Sequence, residues 1–361
     1  MEIIEANQEQ YKQIAKNLFC LFENADFALL NENKVDFVKY FIFNNGKNRF
    51  ALIAGIKDKI MKLPFSASFS CLSEITKNNK IEYYIDAINA LIEWNKKNEI
   101  EKIVFNTPPI FYNISHISKL QNALLNCGFK NSEYNLNFEF YLENFDENYL
   151  SNIQRNARKN YNNALKNNLI FEKTQDLSTV YQVIKQNRDE KGYPLWMSED
   201  DIIKTSKIIP SEYFLVKTQE NISIAAAFVH HINENIVRVN YWGNIAKYEE
   251  LRPINFLSFN LFKYYKEQGK KVVDIGPSTN NAVPDFGLCN FKESIGCDCS
   301  AKLLFELDII SASAEERKKE RKKERKKDNF LTCLLYLNNI QTPRQTNIIV
   351  CQFGMQKNKV A

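Results

Sequence analysis

The feature of this sequence that most restricts its fold is the stretch 252–296, in which a helix, a buried strand and a second helix follow one another. Apolar residues recur at helical spacing over Asn255–Gln268, and Pro253 stands at a favoured helix entry. Gly269 ends this helix, and the apolar run Val272–Ile275 predicts a short buried strand. A helix that leads into such a strand, with a polar loop beyond it, is how α/β enzymes build a ligand-binding crevice.

The same order of elements occurs earlier in the chain. An amphipathic helix over Ile81–Lys97 leads to the short strand Lys102–Phe105. In each copy a second helix and a glycine come next, followed by a strand, which is Tyr134–Glu143 in the first copy and Ala301–Asp308 in the second. The match predicts a duplicated domain of roughly 150 residues per copy. The alternative is a chance match of element orders that are common in α/β proteins.

The predicted fold class is therefore α/β (α+β), with two tandem domains that each have a mixed central sheet flanked by helices. The expected divisions are residues 1–147 and 170–310 for the two domains, 148–169 for a basic linking helix, and 311–361 for a low-complexity tail. A chain of 361 residues is too long for one ordinary hydrophobic core, which agrees with this division.

The net charge of +5 is concentrated in the tail. Residues 315–361 contribute +7, so the remainder of the chain carries about −2. A duplex nucleic-acid binder should carry its basic surface on the folded part, so the sequence argues against DNA as a partner.

Cysteine and histidine usage argues against a structural metal. The eight cysteines form no Cys-x-x-Cys pair, and the chain has three histidines. The amino terminus has no apolar signal core, and no apolar run approaches the ~18–20 residues that span a bilayer. We therefore expect a cytoplasmic protein with reduced thiols and no membrane span; the sequence does not indicate its oligomeric state.

A basic amphipathic helix is predicted over Asn148–Asn168, between the two copies. Arg155 and Arg158 lie one turn apart on it and suit a diphosphate or another anionic group of a substrate. The alternative is a solvated linker face that pairs with nearby carboxylates.

Seven short stretches together resemble the FemABX-type branch of the GNAT acyltransferase superfamily, whose chains carry two tandem GNAT domains. The resemblance covers about residues 1–308, and no single motif in it is as diagnostic as a phosphate-binding loop. The stretches are Arg155-x-x-Arg158-Lys159, Asn168–Glu172, Lys191–Leu195, Ala225–Val229, Tyr241-Trp242-Gly243, Asp274-Ile275-Gly276 and Gly287-Leu288-x-x-Phe291-Lys292-x-x-x-Gly296.

The resemblance implies transfer of an acyl or aminoacyl group from a thioester or a charged tRNA to an amine or hydroxyl of an envelope precursor or small metabolite. Two departures bear on the donor. GNAT domains hold the coenzyme A pyrophosphate on a glycine-rich turn before the central helix, whereas the turn Glu249–Pro253 has no glycine. Members that use tRNA often insert a coiled-coil arm, and this chain has no such heptads. We therefore expect a small acyl thioester, such as an acyl-coenzyme A, as the donor.

Three residues are the candidate catalytic groups. Acyl transfer to an amine needs a path for a proton and donors for the developing oxyanion. Asp274, at the end of a strand, is the candidate base or substrate anchor, and its alternative is a carboxylate that caps the loop. Tyr241 would donate to the leaving thiolate, or it is a core tyrosine. Of His230 and His231 on an alternating strand, one must point inward; His230 is the candidate, and a satisfied core histidine is the alternative.

Lys292 is predicted to bind an acceptor phosphate or carboxylate from the helix after the polar loop, with a surface lysine as the alternative. Trp242 and Asn280 complete the predicted substrate-binding residues. The expected function is N-acylation or N-acetylation of a sugar nucleotide, a cell-surface glycan or an envelope precursor. The alternatives are an aminoacyl-tRNA-dependent transferase of the peptidoglycan-precursor type and an inactive protein that binds a glycan or peptide.

The tail begins with three copies of Glu-Arg-Lys-Lys over Glu316–Lys327. As a peptide this is an exposed helix or a disordered basic arm. The repeat is also what a tetranucleotide GAAA tract encodes, and loss or gain of one unit of that tract shifts the reading frame. We therefore predict a phase-variable gene in which residues 329–361 are read in one of several frames; an invariant tract length in sibling clones would contradict this.

Overall fold

The computed structural model describes residues 1–309. Its first half contains seven strands and four helices, joined by short 3₁₀ turns. In chain order they are β1 (Glu2–Ala6), α1 (Gln8–Ile14), α2 (Ala25–Leu30), β2 (Phe37–Asn44), β3 (Asn48–Lys57), β4 (Ile60–Leu63), β5 (Ser73–Glu74), α3 (Ile81–Lys97), β6 (Lys102–Asn106), α4 (Ile114–Asn126) and β7 (Lys130–Tyr141).

The second half contains six helices and eight strands. They are α5 (Tyr149–Asn152), α6 (Arg155–Lys166), β8 (Ile170–Thr174), α7 (Leu177–Lys191), α8 (Glu199–Ser206), β9 (Ser211–Lys217), β10 (Ser223–His231), β11 (Ile236–Asn244), α9 (Pro253–Glu267), β12 (Val272–Pro277), β13 (Thr279–Asn280), β14 (Val283–Pro284), α10 (Phe286–Ser294) and β15 (Asp298–Asp308).

Thirteen of the described strands form one continuous mixed sheet, in the order β1-β2-β3-β4-β6-β15-β7-β12-β11-β10-β9-β8, with β5 paired to β3. The halves exchange strands where they meet. Strand β15 of the second half lies between β6 and β7 of the first, and β7 pairs with β12 of the second half. The predicted repeat of helix, strand, helix and strand is present in both halves, and its last strand completes the sheet of the other half. The domain divisions given above remain a prediction.

Helices cover both faces of the second half of the sheet. Val180, Val183 and Ile184 of α7 pack with Ala226, Phe228 and Tyr241 on one face. On the other face, α9 packs against the alternate residues of β10 and β11, and α6 packs on α9. Residues of one strand therefore reach different environments: Tyr241 points to the α7 face, and Trp242 belongs to the α6 and α9 face.

Four predicted elements agree with the observed bounds within two residues: Asn255–Gln268, Val272–Ile275, Ile81–Lys97 and Lys102–Phe105. The strands predicted over Tyr134–Glu143 and Ala301–Asp308 begin earlier, at Lys130 and Asp298. The sequence also predicts a short helix over Gln8–Asn24, and the observed helix ends at Ile14. The basic stretch forms two helices because Ile153 has extended backbone and packs into the core, and the amide of Gln154 bonds to the carbonyl of Ser294. The predicted tail, residues 311–361, lies outside the described residues. Within residues 1–309, no helix is both long enough and apolar enough to cross a bilayer.

Glu212, at the start of β9, is expected to make the free energy of unfolding depend on pH at acidic pH. Desolvation raises the pKa of Glu212, but hydrogen bonds from His231, Lys173 and Tyr265 outweigh it and lower the pKa from 4.5 to about 2. A group whose pKa falls on folding stabilises the protein above its unfolded pKa. We expect the roughly 3 kcal/mol that corresponds to this fall to be lost as the pH drops from about 4.5 towards 2. Urea unfolding of Glu212→Gln should show a smaller loss over the same interval; an unchanged slope with pH would contradict the assignment.

Candidate active site

A fork between two parallel strands defines the candidate site. Strands β11 and β12 pair only over Ile236–Arg238 and Val272–Asp274, and β11 then continues alone on that side to Asn244. The register of β11 with β10 jumps between Val239 and Tyr241. Asn240 is therefore an extra residue, a β-bulge that re-aims the following side chain and turns Tyr241 towards the α7 face.

A cavity of about 630 Å³ opens on this face of the sheet. Its walls come from both halves of the described chain, so neither half forms it alone. His230 and Tyr241, two of the predicted catalytic residues, line it together with Asn240. The other lining residues are Phe22, Phe27, Leu30, Asn31, Asn33, Lys34, Phe65, Ser66, Ala67, Ser68, Trp196, Met197, Asp201, Lys204 and Thr205.

His230 has a defined tautomer. The hydroxyl of Ser211 donates to the carbonyl of Ile209 at 2.7 Å, and the same oxygen lies 2.9 Å from Nδ1 of His230. Because the only hydroxyl proton is already used, Nδ1–H must donate to Ser211, which leaves Nε2 without a proton. Burial, with the charges of Arg238 and His231, lowers the pKa of His230 to about 3. His230 is thus neutral and offers Nε2 as a hydrogen-bond acceptor.

Tyr241 is held beside the same cavity as a hydrogen-bond donor. Its ring stacks on Phe228 with centroids 6.4 Å apart, and the Arg188 guanidinium lies 5.4 Å from the ring centre. Burial raises the pKa of Tyr241, although the Arg188 charge and backbone amides at Trp196 and Met197 oppose the rise. The hydroxyl therefore keeps its proton at neutral pH.

Asp274 lies at the vertex of the fork and is fully buried. It forms an ion pair with Arg238 and accepts hydrogen bonds from the Tyr112 hydroxyl at 2.6 Å, from Asn137 Nδ2 at 2.8 Å and from the Gly276 amide at 2.8 Å. Desolvation raises the pKa of Asp274, but the Arg238 charge and these donors outweigh it, so the pKa is lowered. All of its acceptor capacity is used inside the protein, and this geometry suits an anchor that joins the halves.

Lys292 forms hydrogen bonds to the backbone at the end of β12. It is 1% exposed, and its Nζ donates to the carbonyls of Ile275 at 3.1 Å, Gly276 at 2.8 Å and Pro277 at 3.4 Å. Burial lowers the pKa of Lys292 to about 8. The lysine fixes the backbone just beyond Asp274, where the fork is open.

The other predicted binding residues lie apart from the cavity. The Trp242 ring is 6.0 Å from that of Phe291 on the opposite sheet face. Arg155 is exposed on α6, and Arg158 donates to the carbonyls of Leu150 and Ser151. Asn280 is exposed in the β13–β14 hairpin. The structure thus brings His230 and Tyr241 together and Asp274 and Lys292 together, and it leaves Trp242, Arg155, Arg158 and Asn280 outside both groups.

Several important residues were not predicted. Arg238 and Tyr112 complete the anchor around Asp274, Ser211 fixes the tautomer of His230, and Lys34 and Lys204 line the cavity. Only Arg238 carried a signal, since a charged residue within an apolar, alternating strand implies a buried partner. The others stand in ordinary loop, strand-end or helix-surface contexts.

The turn before α9 takes the shape that glycine would favour. Arg252 has φ 57° and ψ 41°, which is the left-handed conformation, and it directly precedes Pro253 at the first position of α9. No side chain caps the amides of this helix end. Because Arg252 adopts the left-handed conformation, the turn forms without a glycine. The uncapped N-terminus of α9 suits an anion.

Neither a protein-family model nor a curated protein sequence matches this chain. Solved structures do match. FemX aligns with a TM-score of 0.63 and 14% identity, over 85% of this chain and 97% of FemX. A C-terminal domain of a putative lysylphosphatidylglycerol synthetase from Agrobacterium fabrum aligns at 0.55 and 12%, over 85% and 94%. A tandem GNAT protein from the clavulanic acid biosynthesis pathway aligns at 0.51 and 8%, over 86% and 99%. At these identities the comparisons establish the fold.

Proposed function

We propose that this chain, which has the predicted tandem GNAT fold in common with FemX, is an acyltransferase that moves an acyl group from a thioester to an amine. The observation that carries the proposal is the fork at Arg238 and Asp274, beside a cavity lined by a hydrogen-bond acceptor, His230, and a donor, Tyr241. We further propose that the acceptor amine belongs to a sugar nucleotide, a surface glycan or an envelope precursor.

The open edge of β11 supports an extended thioester donor. Beyond Arg238, this edge has no strand partner in residues 1–309, so its backbone amides and carbonyls can pair with an extended ligand that carries amides. The pantetheine arm of an acyl-coenzyme A has this chemistry. The uncapped start of α9, with Arg252 at its entry, would face the diphosphate of such a donor.

The polar lining of the cavity supports an acceptor with an anionic group. Lys34 and Lys204 line it, with Asp201 as the opposing charge. Lys34 forms no ion pair within the described residues; its Nζ donates to Ser66 at 2.8 Å. A lysine held in place without a carboxylate partner is available for a phosphate or carboxylate of the substrate.

The residues of the cavity suggest how the reaction proceeds. The amine attacks the thioester carbonyl, a C–N bond forms, the C–S bond breaks, and the proton from nitrogen finally resides on the thiol. Nε2 of His230 accepts a hydrogen bond from the amine and aims its lone pair at the carbonyl. The Tyr241 hydroxyl donates to the sulfur as it leaves. With a pKa of about 3, His230 orients the amine and does not hold its proton between steps.

Product analysis by mass spectrometry tests the proposal. The full-length protein is incubated with acetyl-coenzyme A and an amino-sugar nucleotide, and the N-acyl product and free coenzyme A are quantified. Equal amounts of both support the proposal. Binding of the sugar nucleotide without any thioester turnover, across a panel of acyl chain lengths, would instead support the inactive binding protein.

Helix α6 favours one second candidate, an aminoacyl-tRNA-dependent transferase. This helix has four basic residues and no acidic one, and none of the four forms an ion pair in the described part of the chain. Such a face suits a nucleic-acid backbone. Replacing acetyl-coenzyme A by aminoacyl-tRNA in the same assay distinguishes the two. Transfer that falls steeply with salt would identify the second candidate. The four basic residues of α6 are Arg155, Arg158, Lys159 and Lys166.

We expect His230 to populate both of its neutral tautomers in the variant Ser211→Ala. In the unaltered protein, two-bond proton–nitrogen NMR spectra should show Nδ1 protonated and Nε2 unprotonated for this residue, one of only three histidines. Without the serine acceptor, signals from both tautomers should appear, because Nδ1–H has lost its partner. Ser206→Ala, which removes another half-buried hydroxyl, bonded to Tyr213, is the matched control. A protonated Nε2 in the unaltered protein would contradict the assignment.

A further inference from the structure

The carboxyl group of Glu23 is buried with one oxygen unpaired. Its side chain leaves a 3₁₀ turn of the first half and is 2% exposed. Oε1 accepts hydrogen bonds from the Ser70 hydroxyl at 2.8 Å and from the Cys71 amide at 3.1 Å. Oε2 has no donor at hydrogen-bonding geometry in the described part of the chain, although the backbone at Ile53 interacts with the carboxyl group and lowers its pKa. A buried carboxyl oxygen without a partner is costly, so it calls for an occupant that the chain itself does not supply.

A small void adjoins this group. It has a volume of about 20 Å³ and is lined by Glu23 and Ser70. That volume is enough for one water-sized group. The void lies beside the larger cavity, and five residues line both of them: Phe22, Phe27, Phe65, Ser66 and Ala67. To reach Glu23, a small head group of a ligand in the large cavity would have to pass between these shared side chains.

The surroundings select the chemistry of that head group. Three phenylalanine rings line the void, and aromatic faces attract a cation that has lost its water. The carboxyl group adds an acceptor for N–H donors. Within residues 1–309, no lysine, arginine or histidine forms an ion pair with Glu23. Desolvation raises the pKa of Glu23 to about 7, and hydrogen bonds from Ser70 and the backbone oppose the rise, so a bound cation would favour the ionised form.

We propose that Glu23 and the rings of Phe22, Phe27 and Phe65 bind a primary ammonium group of the ligand that fills the cavity. The head group donates one N–H to Oε2 and lies against the rings, while the remainder of the ligand reaches Lys34 and Lys204. The site therefore selects a molecule that carries both an ammonium and an anionic group. That this molecule is the acyl acceptor, with a different amine beside His230 as the nucleophile, rests on the proposed function, whereas binding of the ammonium does not.

Methyl NMR of the full-length protein tests the site, with methylammonium as the probe and methanol as its neutral counterpart. Ala28, Ile53 and Ala67 line the void and report on it. Methylammonium should shift their methyl signals in a saturable manner, and methanol at the same concentration should not. Glu23→Gln should weaken methylammonium binding about tenfold or more, since a hydrogen bond to a charged group is lost. Glu74→Gln alters a carboxyl group of the same half that lies outside the void and should leave binding unchanged.

Equal responses to methylammonium and methanol would overturn the proposal, and so would methylammonium binding that survives in Glu23→Gln. If Glu23→Gln does not fold, the comparison of the two probes on the unaltered protein still decides the matter. No thioester is present, so a protein without transferase activity can still confirm this site. Conversely, an active enzyme that shows no ammonium preference refutes the site and leaves the proposed function standing.

Discussion

Replacing Asp274 by asparagine is expected to lower the free energy of unfolding by about 3–5 kcal/mol, the usual cost of removing one partner of a buried ion pair. Arg238 is 5% exposed and would keep its charge without a counter-ion. The hydroxyl of Tyr112 would lose an ionised acceptor as well. Urea unfolding of the full-length protein measures the loss.

Two controls show whether the buried charge is the cause. In the double variant Asp274→Asn, Arg238→Gln both charges are absent, so we expect more than half of the lost stability to return. Glu306→Gln breaks an ion pair with Lys102 on the neighbouring strands that is about one-third exposed, and it should cost less than about 1 kcal/mol. If Asp274→Asn lowers the free energy of unfolding by no more than Glu306→Gln does, Asp274 does not act as an anchor between the halves.

The anchor also shows what could be predicted from the sequence. The local pattern predicted the helix Ile81–Lys97 with its observed bounds, because apolar spacing is a local signal. Local patterns also predicted that the Asp274 strand repeats an element of the first half. Tyr112, however, belongs to the first half of the chain, and its hydroxyl donates to the carboxylate of Asp274, which lies 162 residues later in the second half. No periodicity encodes such a contact.

The cavity could not be predicted for the same physical reason. The exchange of β7 and β15 joins the two halves into one sheet, and this places residues 22–34 and 65–68 opposite the second half. The alternating strand pointed to His230, and Tyr241 was predicted as a donor to the leaving thiolate. Sequence reasoning missed the bulge at Asn240, which decides the face to which Tyr241 points. Lys292 was predicted to project outward, yet the turn at Gly276–Pro277 draws it into the core.

His230→Gln is expected to lower kcat/KM for the amine acceptor by about 10²-fold, at the lower end of what a positioned proton-transfer or hydrogen-bonding group contributes. The substitution keeps a polar side chain of similar size but cannot hold an unprotonated ring nitrogen at the same point. His231→Gln is the matched control. His231 bonds to Glu212 at 2.9 Å outside the cavity, so this variant should lose stability and keep its kcat/KM.

The pH dependence distinguishes an orienting acceptor from a general base. Burial and the charges of Arg238 and His231 hold the pKa of His230 near 3, so this histidine stays neutral throughout the physiological range. A group whose pKa is lowered in this way changes its charge only when the pH falls towards about 3. The ratio of kcat/KM between the unaltered protein and His230→Gln should therefore remain constant from about pH 5 to 8, whatever the titration of the amine itself. A ratio that rises through an inflexion near 6.5 would show that His230 accepts the proton, and the orienting role would then be wrong.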